Sequence, residues 1–168
     1  SGAFDVSIAW AVPDCTKIDQ LGEAGQTRCR DFIASLPLYE VADTLSTLAD
    51  SPLANATSYE AFAGARICRP EGWSMFQMEA TGLIEPFITL IQKRTPVDCA
   101  KALLSGEVDV FAIELESANN AFHELGATDK VTINPTLVRF ATYHLITSRN
   151  NPRGRSFRAL VWLDPPAR

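Results

Sequence analysis

Arg66-Ile-Cys-Arg-Pro-Glu-Gly-Trp-Ser74 and, downstream, Ser105-Gly-Glu-Val-Asp-Val-Phe-Ala-Ile-Glu114 are the two stretches that decide the fold of this chain. In each stretch an apolar run adjoins a polar loop, which is the pattern of a buried strand ending at a loop. The carboxyl ends of neighbouring parallel strands meet at one edge of a sheet, where α/β proteins bind their ligands. The two stretches therefore predict an α/β fold whose loops hold a small ligand.

The composition predicts a folded protein with neither nucleic acid nor membrane as a direct partner. Apolar residues make up 46% of the 168 residues and charged residues 21%, enough for one full-sized core or two small ones. The net charge is −5, and the scattered Lys and Arg residues form no basic stripe for phosphates. No apolar run approaches the roughly 20 residues that span a bilayer. Residues 1–3 resemble a processing junction, so we expect any export signal to lie outside this sequence.

Four cysteines, Cys15, Cys29, Cys68 and Cys99, predict two disulfides. They contain no close-spaced pair of the kind that zinc sites use, and the two histidines lie far apart, so we expect no metal site. Sequential pairing is favoured because each bridge then closes a loop within one local unit, and the loop-entropy account credits each bridge with roughly 3 kcal/mol. Disulfides indicate an oxidising compartment such as the periplasm. Four buried free thiols in a cytosolic protein are the alternative.

The periodicity of apolar residues alternates between strand and helix patterns along the chain. It predicts strands at 4–10, 38–48, 65–68, 87–91, 108–113, 131–133 and 137–147, and helical segments at 26–34, 58–62, 75–80, 95–105 and 117–125. The start at Thr95-Pro-Val-Asp98 combines an N-cap, a first-turn proline and an acidic residue, and Gly106 ends that helix. Alternating strands and helices predict a parallel-dominated sheet with helices on its faces.

Four segments, in the same order as in a known family, resemble that family's motifs. Ala61-Phe-Ala-Gly-Ala-Arg-Ile-Cys-Arg-Pro-Glu-Gly72 is similar to the opening of lobe two in type II periplasmic binding proteins of the polar amino-acid transporter class. Leu103-Leu-Ser-Gly-Glu-Val-Asp109 resembles the glycine and aspartate signature that follows it. Ala34-Ser-Leu-Pro-Leu-Tyr39 resembles the family's Phe-Ser-x-Pro-Tyr segment, with Ala34 in place of Phe. Tyr143-His-Leu-Ile-Thr-Ser-Arg-Asn-Asn-Pro152 resembles the strand that returns to lobe one.

The resemblance implies a fold with one complete, parallel-dominated α/β lobe and part of a second. In the family, a strand-helix-strand portion of lobe one precedes the position of Phe4, and a longer C-terminal helix follows the position of 156–160. This sequence contains neither segment. The implied division is a partial lobe one with crossover segments at 1–50 and 145–168, and lobe two at 51–144.

The resemblance also implies ligand-binding residues in lobe one. Counting back nine residues from Pro37 places Arg28 at the family's carboxylate-binding arginine, and a guanidinium fork matches a carboxylate with two hydrogen bonds. Arg30 is the nearest rival, and an exposed helix arginine is the structural alternative for Arg28. Trp10 ends the first predicted strand, where we expect it either to line the ligand cleft or to pack in the core.

In lobe two, the resemblance implies a site made by a turn and a strand end. Gly72 and Ser74 fall on a Gly-Ser/Thr turn whose N–H groups and hydroxyl bind an anion, although an ordinary N-cap uses the same residues. Trp73 lies between them and either lines the pocket or packs over the turn. Glu114 falls where the family binds a substrate ammonium, often with Asp. Asp109 is expected to fix the start of its strand rather than to touch the ligand.

The implied function is non-catalytic and needs no cofactor. The protein would capture a small polar, amino-acid-like solute in a cleft between lobes and present it to the membrane permease of an ABC transporter, in the periplasm or outside the cell. Two alternatives use the same fold: a ligand-sensing extracytoplasmic domain of a membrane receptor, and a dehydratase-like enzyme with Glu114 as its acid or base. A scaffold that has lost binding is a third.

Overall fold

The computed structural model of this chain describes residues 4–154 and 156. The described residues form two compact units: unit 1 comprises those up to Glu40 and those from Ala141 onward, and unit 2 comprises Val41–Phe140. The divisions between these units fall at 40/41 and 140/141, and the lobe boundaries at 50/51 and 144/145 stay a prediction from the sequence. Both divisions lie within the two longest strands, so each of these strands begins in one unit and ends in the other.

The described elements follow one another along the chain as short strands and helices. They are β1 (Ser7–Ala11), a 3₁₀ helix (Cys15–Gln20), α1 (Glu23–Asp31), β2 (Phe32–Ala34), β3 (Tyr39–Leu48), a second 3₁₀ helix (Tyr59–Phe62), β4 (Arg66–Pro70), α2 (Phe76–Ala80), β5 (Thr89–Lys93), α3 (Pro96–Leu104), β6 (Val110–Glu114), α4 (Leu115–Glu124), β7 (Val131–Ile133) and β8 (Arg139–Ser148). Among the described residues, no helix has both the length and the apolar composition to cross a membrane.

Unit 1 is organised around β8, which has an antiparallel partner on each side. β1 pairs with β8 through Trp10 and His144, and β2 pairs with it through Phe32 and Ser148. The sequence predicted helical turns as far as Ala34, but α1 ends at Asp31 because Phe32 takes an extended conformation and joins the sheet. This pairing partner lies more than a hundred residues away, so the local pattern could not reveal it.

Unit 2 has a four-stranded sheet in the order β3-β6-β4-β5, with β7 also paired to β3. β4 runs parallel to both β5 and β6, whereas β3 is antiparallel to β6. The parallel core agrees with the predicted fold class. Every residue of β6 is buried, which explains its nearly continuous apolar sequence.

Helices cover both faces of the sheet in unit 2, and each face has its own buried cluster. Successive strand residues point to opposite faces, so Ile67 and Cys68 enter different clusters. One cluster packs against α2 and contains Leu45, Phe62, Ile67, Met78, Leu83, Val110 and Ala112. The other packs against α3 and α4 and contains Cys68, Cys99, Leu103, Phe111, Ile113, Ala118 and Phe122.

The start of α3 follows the signals read from the sequence. The Thr95 hydroxyl accepts a hydrogen bond from the Asp98 amide at 3.1 Å, and Pro96 is the first residue of the helix. Gly106 has φ +74°, a left-handed conformation that glycine adopts without strain. A disulfide joins Cys99 of α3 to Cys68 of β4, so this helix is covalently fixed to the sheet.

Candidate functional site

The carboxyl ends of β4 and β6 lie side by side, because these strands are parallel neighbours. β4 ends at Pro70 and is followed by a turn at Gly72 (φ +79°), where any other residue would be strained. The Trp73 amide closes this turn by donating to the Pro70 carbonyl at 3.3 Å. β6 ends at Glu114, the residue that precedes α4. The turn after β4 and the end of β6 are the two places that the sequence singled out.

Trp73 and Glu114 are brought into direct contact. The indole Nε1 of Trp73 donates to Glu114 Oε2 at 2.9 Å, and Glu114 is only 5% exposed. A buried carboxylate is costly unless hydrogen bonds compensate for its lost hydration, and the indole N–H supplies one such bond. The N-terminal end of α4 also favours negative charge at this position.

A buried ion pair that the sequence analysis did not predict adjoins the turn. Arg69 is 1% exposed and forms a bidentate salt bridge with Asp43 of β3, with Nη1–Oδ1 at 2.8 Å and Nη2–Oδ2 at 3.1 Å. Its Nε donates to the Ser74 carbonyl at 2.7 Å, and its Nη1 also donates to the Ala112 carbonyl at 3.2 Å. The sequence signal for such a pair is a charged residue between Cys68 and Pro70 in the buried part of β4, since a buried guanidinium requires an acidic partner.

Ser74 uses its side chain and its carbonyl within unit 2. The Ser74 hydroxyl accepts from the Phe76 amide at 3.3 Å at the start of α2, which begins one residue later than predicted. Among the described residues, neither the Gly72 amide nor the Ser74 amide has a hydrogen-bond acceptor. Because α2 has only five residues, these turn amides, rather than a helix dipole, are the donors available to an anion.

Arg28 and Trp10, both predicted to bind ligand, lie together in unit 1. The guanidinium carbon of Arg28 lies 4.6 Å from the centre of the Trp10 ring, and Nη1 donates to the Ala11 carbonyl at 2.6 Å. The Trp10 indole donates to the Ser7 hydroxyl at 2.7 Å. Burial lowers the pKa of Arg28, although a guanidinium remains protonated in a protein. The Cys15–Cys29 disulfide anchors α1 next to Arg28.

Asp109 fixes the beginnings of the same two parallel strands. Its carboxylate accepts from Arg66 Nε at 3.0 Å, Nη2 at 2.6 Å and the Arg66 backbone amide at 2.8 Å. Hydrogen bonds from the Arg66 side chain lower the pKa of Asp109. The pair lies at the opposite end of β4 from Gly72, in agreement with a structural role for Asp109.

A shallow pocket in unit 2 opens beside Asp43 and is lined by Tyr59, Gln77, Thr81 and Arg139 above an apolar floor. It encloses about 20 Å³, which is room for one or two water molecules. Burial raises the pKa of Tyr59 there. An amino acid does not fit in this space, so the pocket by itself is not a solute site. In the part of the chain that the structure describes, no group of three or more His, Cys, Asp or Glu side chains could hold a metal ion.

No family model and no curated protein sequence matches this chain. Solved structures do match its backbone. An arginine transport system periplasmic binding protein from Legionella pneumophila superposes with a TM-score of 0.63 at 17% identity, over 95% of this chain and 64% of that protein. A mutant of ArgBP from T. maritima gives a TM-score of 0.64 at 14% identity, over 84% of this chain and 57% of that protein. The chain has the type II periplasmic-binding-protein fold.

A third match with this fold is a histidine kinase sensor domain described as similar to periplasmic binding proteins, with a TM-score of 0.69 at 17% identity. It covers 95% of this chain and 64% of the sensor domain. The chain therefore spans less than two thirds of the length of these structures, in keeping with one lobe and part of a second. These three neighbours are binding or sensing proteins, and at such low identity they show the fold alone.

Proposed function

We propose that this chain is the ligand-binding part of an extracytoplasmic solute-binding protein that captures a small, amino-acid-like solute without transforming it. The observation that carries the proposal is the buried Glu114 carboxylate at the end of β6, held by the Trp73 indole from the turn after the neighbouring strand. The type II fold supports it, because solved proteins with this fold include arginine-binding proteins.

Each predicted residue has a defined role in this proposal. Glu114 would bind the solute ammonium, because a carboxylate accepts hydrogen bonds from a cationic N–H group. The Gly72 and Ser74 amides would donate to an anionic or carbonyl oxygen of the solute. Within unit 1, taken by itself, Arg28 is proposed to bind a carboxylate, and its contacts with Trp10 and Ala11 hold the guanidinium in place beforehand, which reduces the entropy lost on binding.

Two disulfides and the periplasmic neighbours favour an extracytoplasmic location. A membrane permease of the ABC class is the proposed partner, since the solved neighbours include a transport-system protein. In such a role the solute is released unchanged.

A thermal-shift screen of the twenty amino acids, followed by calorimetry, tests the proposal. A solute at 100 times its Kd should stabilise the protein by about 2.7 kcal/mol. Glu114→Gln should then weaken binding of that solute at least about tenfold, a change of about 1.4 kcal/mol. Glu116→Gln, an exposed change two residues later, is the matched control and should leave the Kd unchanged. The proposal is wrong if no amino acid stabilises the chain or if Glu114→Gln binds like the wild type.

A sensing role is the second candidate, and the similarity to a histidine kinase sensor domain favours it. Both roles require the same solute site, so ligand screening does not separate them. The complete reading frame does: a following apolar segment of roughly 20 residues and a kinase region support sensing, whereas a neighbouring permease gene supports transport.

A dehydratase-like enzyme would require Glu114 as its acid or base. In that case Glu114→Gln would abolish turnover of a cyclic acid while sparing its binding. A binding protein instead loses affinity and shows no turnover.

A further inference from the structure

Arg69 is a buried arginine in a strand that an apolar residue would fill at lower cost. Its guanidinium contacts three separate parts of unit 2: Asp43 in β3, the Ala112 carbonyl in β6 and the Ser74 carbonyl in the turn after β4. A buried ion pair contributes little net stability, because the cost of dehydrating both charges offsets their attraction. Its place in the fold therefore calls for a purpose other than stability.

We propose that Arg69 is the positioning residue of the solute site, which holds the Gly72–Ser74 turn against β3 and β6. This inference rests on the proposed function of that turn. Between β4 and α2, the Glu71 amide donates to the Lys93 carbonyl of β5 at 2.8 Å, which fixes the start of this segment. The Ser74 carbonyl on Arg69 and the Trp73 indole on Glu114 hold the turn that follows. Together they set the direction of the Gly72 and Ser74 amides.

The shape of the guanidinium explains why an arginine occupies this position. Its rigid, planar fork binds both oxygens of Asp43 while Nε faces the Ser74 carbonyl at 2.7 Å. A lysine ammonium would supply the charge but not this three-way geometry.

Charge balance is the second part of the role. Asp43 and Glu114 are directly opposite each other in the β3–β6 register, and both are buried. Two neighbouring buried carboxylates repel each other. Arg69 balances the charge of Asp43 through its bidentate salt bridge, which offsets this repulsion.

The decisive variant replaces both buried charges, as Arg69→Met with Asp43→Leu, because removal of one alone leaves an unpaired buried ion. We expect this double variant to fold. Its Trp73 amide hydrogen should exchange with solvent at least tenfold faster than in the wild type, and the NMR resonance of its Trp73 indole N–H should shift. The Cys99 amide, in α3, should exchange at the wild-type rate. For any amino acid that binds the wild type, the Kd should rise at least tenfold.

The chain offers a control in Arg66→Met with Asp109→Leu, which removes a bidentate pair at the opposite end of β4 from the turn. It should leave the Trp73 amide, the indole resonance and the Kd unchanged. Arg69→Lys keeps the charge and loses the fork, so it should still accelerate Trp73 exchange, and it tests the inference even if the double variant does not fold.

The outcomes separate this inference from the proposed function. Wild-type exchange and a wild-type indole resonance in the double variant, or in Arg69→Lys, would overturn the positioning role. Failure of every amino acid to bind the wild-type protein would instead overturn the proposed function, while the exchange and resonance measurements would still decide how the turn is held.

Discussion

A buried carboxylate is tolerated only where hydrogen-bond donors face it, and the indole N–H of Trp73 is such a donor to Glu114. The hydrogen bond from the Trp73 indole joins the turn to Glu114, the proposed ammonium-binding residue. At the scale of single residues, the hydrogen bond that holds the turn in place is therefore also a contact of the proposed ligand-binding residue.

Trp73→Phe tests this contact. It keeps an aromatic ring but removes the N–H donor, so we expect a loss of roughly 2 kcal/mol in the free energy of unfolding, the range for hydrogen bonds to charged groups. Urea unfolding followed by circular dichroism measures it. Trp10→Phe makes the same chemical change where the indole bonds to an exposed serine hydroxyl, and it should cost less than about 1 kcal/mol. A double-mutant cycle that combines Trp73→Phe with Glu114→Gln measures the interaction energy of the two side chains. An interaction energy of zero would contradict this account.

Some of the candidate site could be predicted from single residues, and some could not. Gly72 and Glu114 stand at the ends of apolar runs, where local pattern predicts the edge of a parallel sheet. Asp43 and Arg69 are 26 residues apart and join only when β3 and β4 take their places in the sheet. Nothing local in the sequence specifies that pairing.

At the scale of elements, local chemistry predicted the helices of unit 2 better than the strands of unit 1. Thr95, Pro96 and Gly106 set both ends of α3 with signals that lie within a few residues. The sequence did not predict β2, because its pairing partner lies far along the chain in β8. Its three residues are also too few to show the alternation of a strand, so they were predicted as part of a helix. β3 was predicted as extended, but its antiparallel pairing with β6 depends on contacts distant in sequence.

The pairing of β4 with β6 at its amino end depends on pH through Asp109. Hydrogen bonds from Arg66 lower the folded-state pKa of Asp109 below the unfolded value near 3.9, so the unfolded chain binds that proton more readily. The pair therefore stabilises the fold above that pH, and its contribution is lost as the pH falls through the lowered folded-state pKa.

Asp109→Asn should destabilise the protein at pH 7 by no more than about 1 kcal/mol, because the two side chains are 36% and 44% exposed. The difference from the wild type should shrink as the pH is lowered from 5 to 3. Urea unfolding across this range measures it, and Arg66→Met should show the same trend. A difference that stays constant between pH 7 and pH 3 would disprove the assignment.

At the scale of the whole molecule, each unit has one disulfide of its own. Cys15–Cys29 lies within unit 1 and Cys68–Cys99 within unit 2. Small cores gain stability from such cross-links because the bridge restricts the unfolded chain. The two bridges differ in burial: Cys15 is exposed and Cys29 is 9% exposed, whereas Cys68 and Cys99 are both 0% exposed.

This difference predicts a fixed order of reduction. Under a mild thiol reductant the Cys15–Cys29 bridge should open in the folded protein, whereas Cys68–Cys99 should open only as fast as unit 2 unfolds, since attack requires access to a sulfur. Alkylation and peptide mapping over time follow each bridge separately, and added urea should accelerate only the second. Replacement of both cysteines by serine or alanine should cost about 3 kcal/mol for the first pair and about 4 kcal/mol for the second, with its longer loop. Reduction of both bridges at one rate without urea would show that burial does not protect the second bridge.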